Sequence, residues 1–343
     1  MDTHLDRYHI FNVENLATLT LNIRKKIPRL LPAILLFTFI FTWAAANVAV
    51  GQDQGMFSEQ NVIAPKAVDP VDVFAADLDG DGDQDMLSAS AGDDKIAWYE
   101  NDGSGGFVAQ HVITTDAGGD VSVFAADLDG DGDSDVLSAS GSEIAWYEND
   151  GSDGFGPQQV IITDAGGVVQ SVFAADLDGD GDQDVLSASS IDDKIGWYEN
   201  DGAGGFGDQQ VIISESNIGF RSVFATDLDG DGDSDVLSAH SGNNKIAWYE
   251  NDGAGGFGDQ QVIHISNFNT RSVFAADLDG DGDSDVLSAS GETNRFNEGE
   301  GEIAWYENDG SGEFGDQQVI TSEAKIAKSV FAADLDGDGD SDV

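Results

Sequence analysis

The chain has 343 residues, 66 of them acidic and 14 basic, for a formal net charge of −52. That balance excludes nucleic acid and anionic membrane surfaces as electrostatic partners. Zero cysteines exclude disulfide staples and thiolate metal sites, and 43 glycines against five prolines predict many tight turns.

The first 51 residues are unlike the rest. Arg24, Lys25, Lys26 and Arg29 precede the apolar run LLPAILLFTFIFTWAAANVAV, which ends among small residues. A basic flank, an apolar centre and a small-residue exit mark residues 1–51 as a signal peptide. The run is about 20 residues long, enough to span a bilayer, so an uncleaved N-terminal anchor is the other reading. Either way the remainder is expected outside the cell, secreted or at its surface, with this segment its only contact with a membrane. Residues 52–70 form a leader. Within it MFSEQNVI (Met56–Ile63) aligns with GFGDQQVI (Gly256–Ile263), which predicts an orphan outer strand.

Residues 71–343 repeat. The first aspartate of an acidic loop falls at 77, 127, 176, 227, 277 and 334, spacings of 50, 49, 51, 50 and 57. Each unit carries four short apolar segments separated by turn chemistry: Val-Phe-Ala-Ala, Val-Leu-Ser-Ala, Ile-Ala-Trp-Tyr and Gln-Val-Ile. Asn-Asp-Gly follows the third, as a hairpin requires, and no segment has helical length or spacing. A period near 50 with four strands per unit predicts an all-β propeller of four-stranded blades. There are five full repeats plus partial ones. Val343 corresponds to Val185 of an earlier unit, so the array is expected to be truncated in its sixth repeat. About 15 further residues would complete six blades and about 65 would complete seven.

The acidic loop, DLDGDGDSD in most copies, places aspartates at positions 1, 3, 5, 7 and 9 and glycines at 4 and 6. Calcium takes six to eight hard oxygen ligands, and alternate side chains of a curled loop can converge on one ion. Carboxylates about 5 Å apart repel by about 3 kcal/mol at an effective dielectric of 20, which would spring the loop open without a cation. The candidate ligands of the first three copies are Asp77, Asp79, Asp81, Asp83 and Asp85; Asp127, Asp129, Asp131, Asp133 and Asp135; and Asp176, Asp178, Asp180, Asp182 and Asp184. Those of the last three are Asp227, Asp229, Asp231, Asp233 and Asp235; Asp277, Asp279, Asp281, Asp283 and Asp285; and Asp334, Asp336, Asp338, Asp340 and Asp342. Position 7 is expected to ligate through its backbone carbonyl, the other four through side chains. An EF-hand is excluded, because it needs a glutamate at position 12, where Ser88 and its equivalents stand, and flanking helices.

FAADLDGDGDSDVLSAS followed by GGFG resembles the FG-GAP/VCBS repeat, the blade unit of integrin α-subunit propellers and of many exported bacterial proteins. The resemblance covers about residues 57–343. It implies a seven-bladed propeller with calcium in its blade loops, working in adhesion or as a binding scaffold. The Gly-Ala-Pro of the family name is absent, and Asp-Gln-Gln-Val-Ile stands in its place.

Trp98, Trp146, Trp197, Trp248 and Trp305 occur once per unit, each followed by tyrosine. Exposed, they could stack on sugars; because blades bury both faces of their strands, core packing is expected instead. Catalysis finds no footing in the five scattered histidines, and no nucleophile elbow, zinc motif or phosphate loop occurs. The chain is therefore expected not to be an enzyme; the propeller domain of a secreted carbohydrate-active enzyme is the alternative. Variation gathers in the 4–1 connections between blades and the 2–3 turns, the fifth of which is lengthened to GETNRFNEGEGE. These fall on the face opposite the acidic loops, together with Arg221, Arg271, Arg295, Lys328 and Lys245. The variation is either unconstrained or functional. The functional reading makes Phe220, Arg221, Arg271, Arg295 and Phe296 a patch for an extracellular protein or glycan ligand.

Overall fold

A computed structural model describes residues 67–343 except 105, 120, 152–153, 294–298 and 335–338. The signal-peptide or anchor segment, the leader strand Met56–Ile63, Arg295, Phe296, Asp336 and Asp338 lie outside the described residues. Among the described residues no helix is long and apolar enough to cross a membrane.

Twenty strands form five four-stranded antiparallel sheets, each built from four consecutive strands. The first blade contains β1 (Pro70–Ala76), β2 (Asp85–Ser90), β3 (Lys95–Asn101) and β4 (Phe107–Thr114). The second holds β5 (Val121–Ala126) to β8 (Gln159–Ile162), and the third β9 (Val169–Ala175) to β12 (Gln210–Ser214). The fourth runs from β13 (Phe220–Thr226) to β16 (Gln261–Ile265), and the fifth from β17 (Thr270–Ala276) to β20 (Gln318–Thr321). These are the four segments that each repeat presents in sequence. The described residues thus build five complete blades and the innermost segment of a sixth. Ala333 bridges Asp342 across the sixth acidic loop.

First strands of successive blades lie side by side. Their phenylalanines form one continuous arc, Phe74, Phe124, Phe173, Phe224, Phe274 and Phe331, with ring centroids 4.5–4.8 Å apart. A second line of contacts runs along the same seam. The backbone N–H of Val172, Val223, Val273 and Val330 each donates to a serine hydroxyl of the preceding first strand, at 3.3–3.4 Å.

Period-two alternation gives each blade two different faces, and the core lies between blades. One face presents Leu137, Ala139, Ile144 and Trp146 in the second blade; it meets Val172, Ala174, Val185 and Tyr198 of the third. The same pairing recurs at the other seams. Register fixes it, since leucine faces tryptophan across β2/β3 and its equivalents, as in Leu186↔Trp197 and Leu237↔Trp248. Trp98, Trp146, Trp197 and Trp248 are consequently buried core residues. Trp305 is only half-buried, because its partner segment supplies just Val330 and Ala332. The second strand of the third blade, β10 (Asp184–Ser189), reads Asp-Val-Leu-Ser-Ala-Ser and is buried on both faces; its counterparts differ only at Met86, at His240 and in the longer fifth. Their inward serines are satisfied locally, as where Ser187 Oγ donates to the Gly196 carbonyl at 3.2 Å. The longer fifth unit is absorbed by the 2–3 hairpin, which extends its ladder to Thr293↔Gly299.

One core residue breaks the pattern. His240 stands where the other blades carry Ser90, Ser140, Ser189 and Ser290. It is fully buried, with Nε2 2.7 Å from Ser238 Oγ and Phe220 edge-on at 4.7 Å. Burial, helped by the Lys245 charge, pushes its pKa from 6.5 down to about 4. The unfolded chain therefore binds the proton more tightly, and stability is lost as pH falls from 6.5 through 4. Thermal melts of His240→Ser should lack this loss, retaining about 2 kcal/mol more than the parent between about pH 7 and about pH 5. Parallel pH profiles for the two proteins would contradict a buried neutral histidine.

Candidate functional site

The acidic loops join the first and second strands of each blade, and glycine makes their path possible. Positions 4 and 6 have positive φ in every complete loop, for example +78° at Gly179 and +99° at Gly181. That region costs other residues about 1–2 kcal/mol.

The third loop shows the shared geometry. Asp176, at position 1, accepts from Gly179 N–H through Oδ1 (2.7 Å) and from Gly181 N–H through Oδ2 (3.0 Å). Asp178 and Asp180 each cap the N–H two residues on, at 3.3 and 3.0 Å. Asp184, at position 9, opens the second strand and is completely buried. Its Oδ2 accepts the Leu177 N–H at 2.9 Å and its Oδ1 the Asn200 N–H at 2.8 Å. Asp85, Asp135, Asp235 and Asp285 make the same two bonds in their own blades.

These bonds bring three carboxylates together. In each of the five complete loops, one oxygen from each of positions 1, 3 and 9 lies within 4.8 Å of the other two. The triplets are Asp77, Asp79 and Asp85; Asp127, Asp129 and Asp135; Asp176, Asp178 and Asp184; Asp227, Asp229 and Asp235; and Asp277, Asp279 and Asp285. Position 5 stands outside the triplet, although its charge still raises the position-9 pKa, as Asp180 does for Asp184. The position-7 carboxylate turns toward the 3–4 turn of its own blade, where a Cβ on Gly202 would collide with Asp182. That leaves the position-7 side chain out of the triplet. In the sixth copy Asp334 repeats the position-1 bond, accepting the Gly339 N–H at 3.1 Å.

Such a triplet suits a cation. Burial, opposed by the Asn and Leu N–H bonds, pushes Asp135, Asp184 and Asp235 up to about 7 and raises Asp285 as well. Burial and neighbouring carboxylates also raise Asp129, Asp178 and Asp229. The charged form of the site is thus held against its own preference, and a metal ion bound by these oxygens would relieve both the desolvation and the repulsion.

A residue that sequence reading treated only as a turn former completes the loop. Asn200, two residues beyond the end of β11 (Lys194–Tyr198), donates through Nδ2 to the carbonyl of Gln183, in its own loop, at 2.9 Å. The same Nδ2 reaches the carbonyl of Leu128, in the loop of the preceding blade, at 2.8 Å. Asn149, Asn251 and Asn308 clasp Leu78, Leu177 and Leu228 identically, at 2.8–2.9 Å. The sequence signal was the recurrence of Asn-Asp-Gly once after each complete acidic loop, 22 to 31 residues beyond its first aspartate.

On the opposite face, Arg221 Nε donates to Ser241 Oγ at 3.2 Å and Arg271 Nε to the Gly291 carbonyl at 2.9 Å. The 4–1 and 2–3 connections therefore share that face, and both arginines line one cavity. Phe220 is corrected as a ligand contact. It is fully buried in the core against His240.

Five segments, 77–138, 127–187, 176–238, 227–288 and 284–343, match the family model described as FG-GAP-like repeat. A search of curated proteins returns no match. Among solved structures, an Agrocybe aegerita lectin described as recognising non-reducing terminal N-acetylglucosamine is 26% identical, with a TM-score of 0.56. The match covers 74% of this chain and 66% of the lectin chain, so just under two thirds of that protein is spanned. The V. cholerae biofilm matrix protein Bap1 is 21% identical with a TM-score of 0.43, over 80% of this chain and 43% of that one.

Removing the clasp should hurt two blades at once. Asn200→Ala strands the buried Leu128 carbonyl and the half-buried Gln183 carbonyl and is expected to cost about 2–4 kcal/mol in chemical denaturation. Asn200→Asp, equal in size but unable to donate, should cost as much. A neutral Asn200→Asp would show that the side chain only fills space.

Proposed function

The chain belongs to the FG-GAP-like repeat family, and from that premise we propose that it is an exported calcium-binding propeller that works by binding a ligand rather than by catalysis. The observation that carries this reading is the fivefold recurrence of the carboxylate triplet on one face, at a position that also clamps neighbouring blades. An all-oxygen, multiply charged donor set favours a hard cation with flexible coordination, which is the chemistry of calcium. Asp176, Asp178 and Asp184 would hold it in the third blade, aided by the position-7 backbone carbonyl, and their counterparts in the others. Bound there, the ion would neutralise the carboxylates of one loop and so support the position-9 aspartate that anchors the inter-blade clasp.

With one face committed to stiffening the disc, the face of the 4–1 and 2–3 connections is left for recognition. The structural likeness to a sugar-binding lectin supports a glycan as the ligand class, with an extracellular protein as the alternative. Millimolar calcium outside the cell agrees with export.

Calcium removal tests the first half. Each ion held at 100 times its dissociation constant contributes about 2.7 kcal/mol, so chelator should lower the melting temperature steeply and Asp129→Ala should remove one ion of several. Equal melting curves with and without chelator would sink the metal role. A glycan and matrix-protein binding screen, run in calcium and in chelator, tests the second half; a hit in calcium is expected, and a blank screen would contradict it.

A further inference from the structure

One residue at the start of most first strands escapes its ladder. In β1 the register jumps from Pro70↔Ser90 to Asp72↔Ala89, leaving Val71 bulged. In β9, Gln170 is passed over between Val169↔Ser189 and Ser171↔Ala188. In β13 and β17 the bulged residues are Arg221 and Arg271. A β-bulge re-aims a side chain without disturbing the strand on either side. All four bulged residues line a single cavity of about 350 Å3, with Ser122, Val169 and Lys328.

Lys328 holds the same repeat position as the four, six residues before the first aspartate of its loop. Read around the blades, that position is Val71, Val121, Gln170, Arg221, Arg271 and Lys328, neutral in the first three repeats and cationic in the last three. Three of the eight basic residues in the repeat array, residues 71–343, stand at this one position. Among the described residues the ion pairs are Lys95–Asp93 and His111–Glu100, and neither engages these cations. Neutral acceptors hold the arginines instead. Arg221 Nη1 donates to Gln170 Oε1 at 2.5 Å and its Nε to Ser241, while Arg271 donates to the Gly291 carbonyl. Asp72, the carboxylate beside Val71, accepts from the N–H groups of Val73 and Val123. Arg221 and Arg271 line the same cavity, and burial together with the Arg271 charge lowers the Arg221 pKa.

We propose that this cavity binds the anionic group of an acidic saccharide, a single carboxylate or sulfate on an otherwise neutral sugar. The proposal rests on the ligand-binding reading above and names its ligand class. Arginine forks suit carboxylate and sulfate oxygens, and the volume accommodates a sugar ring. A densely charged polyanion is disfavoured, because the acidic remainder of the protein repels it.

Calorimetry on the calcium-loaded full chain, with glucuronic acid, glucose and inorganic sulfate as probes, tests it. Glucuronic acid should bind at least about tenfold more tightly than glucose or sulfate. Arg221→Gln/Arg271→Gln should lose that advantage while calcium-dependent melting is kept. Lys328→Gln, which touches no described partner, should weaken binding several-fold even if the double variant fails to fold. Equal affinity for glucose overturns the anionic site, equal affinity for sulfate overturns the saccharide, and full affinity in Lys328→Gln overturns this cavity as the binding site. A screen that finds only neutral glycans, with none of the three probes binding, overturns this inference and leaves the ligand-binding reading standing.

Discussion

The structure turns on a buried carboxylate at the ninth position of each acidic loop. Asp184 gives one oxygen to an N–H of its own loop and the other to Asn200, just beyond the third strand. Asn200 then grips the loop of the blade before it. Loop closure, blade closure and blade-to-blade docking thus meet at one side chain. Burial pushes that carboxylate up to about 7, so its charged form is the costly one, and a cation in the triplet would stabilise the junction.

From this junction the rest of the fold follows outward. Alternation gives every blade a leucine–isoleucine–tryptophan face and a valine–alanine–tyrosine face, and stacking buries one against the other. No blade owns a core of its own. Trp305, packed beside Val330 and Ala332, is the half-buried member of the tryptophan set. The acidic loops with their asparagine clasps and the variable connections occupy opposite ends of the same strands.

Much of this was legible before any coordinates. Four short apolar segments per unit, each bounded by Gly, Asn or Asp, have only strand solutions, and glycine alternating with aspartate has few uses other than a curled ligand loop. The asparagine clasp was not legible, because Asn-Asp-Gly reads equally well as an ordinary hairpin turn and its long-range bond spans 72 residues. Phe220 was misplaced for a related reason. It adjoins Arg221 in a variable stretch, and simple alternation does not reveal the bulge between Phe220 and Ser222 that sends the phenylalanine inward and frees the arginine. Backbone irregularities of a single residue leave no periodic trace, yet here they decide which side chains reach the cavity.

Hydrogen exchange on Asp184→Asn in calcium probes the junction most directly. The expected result is lost protection in two places, the Asp176–Asp184 loop and the Asp127–Asp135 loop of the preceding blade, because the clasp from Asn200 loosens with its anchor. Loss confined to the mutated loop, with the preceding blade unchanged, would contradict a shared junction and leave each blade to stand alone.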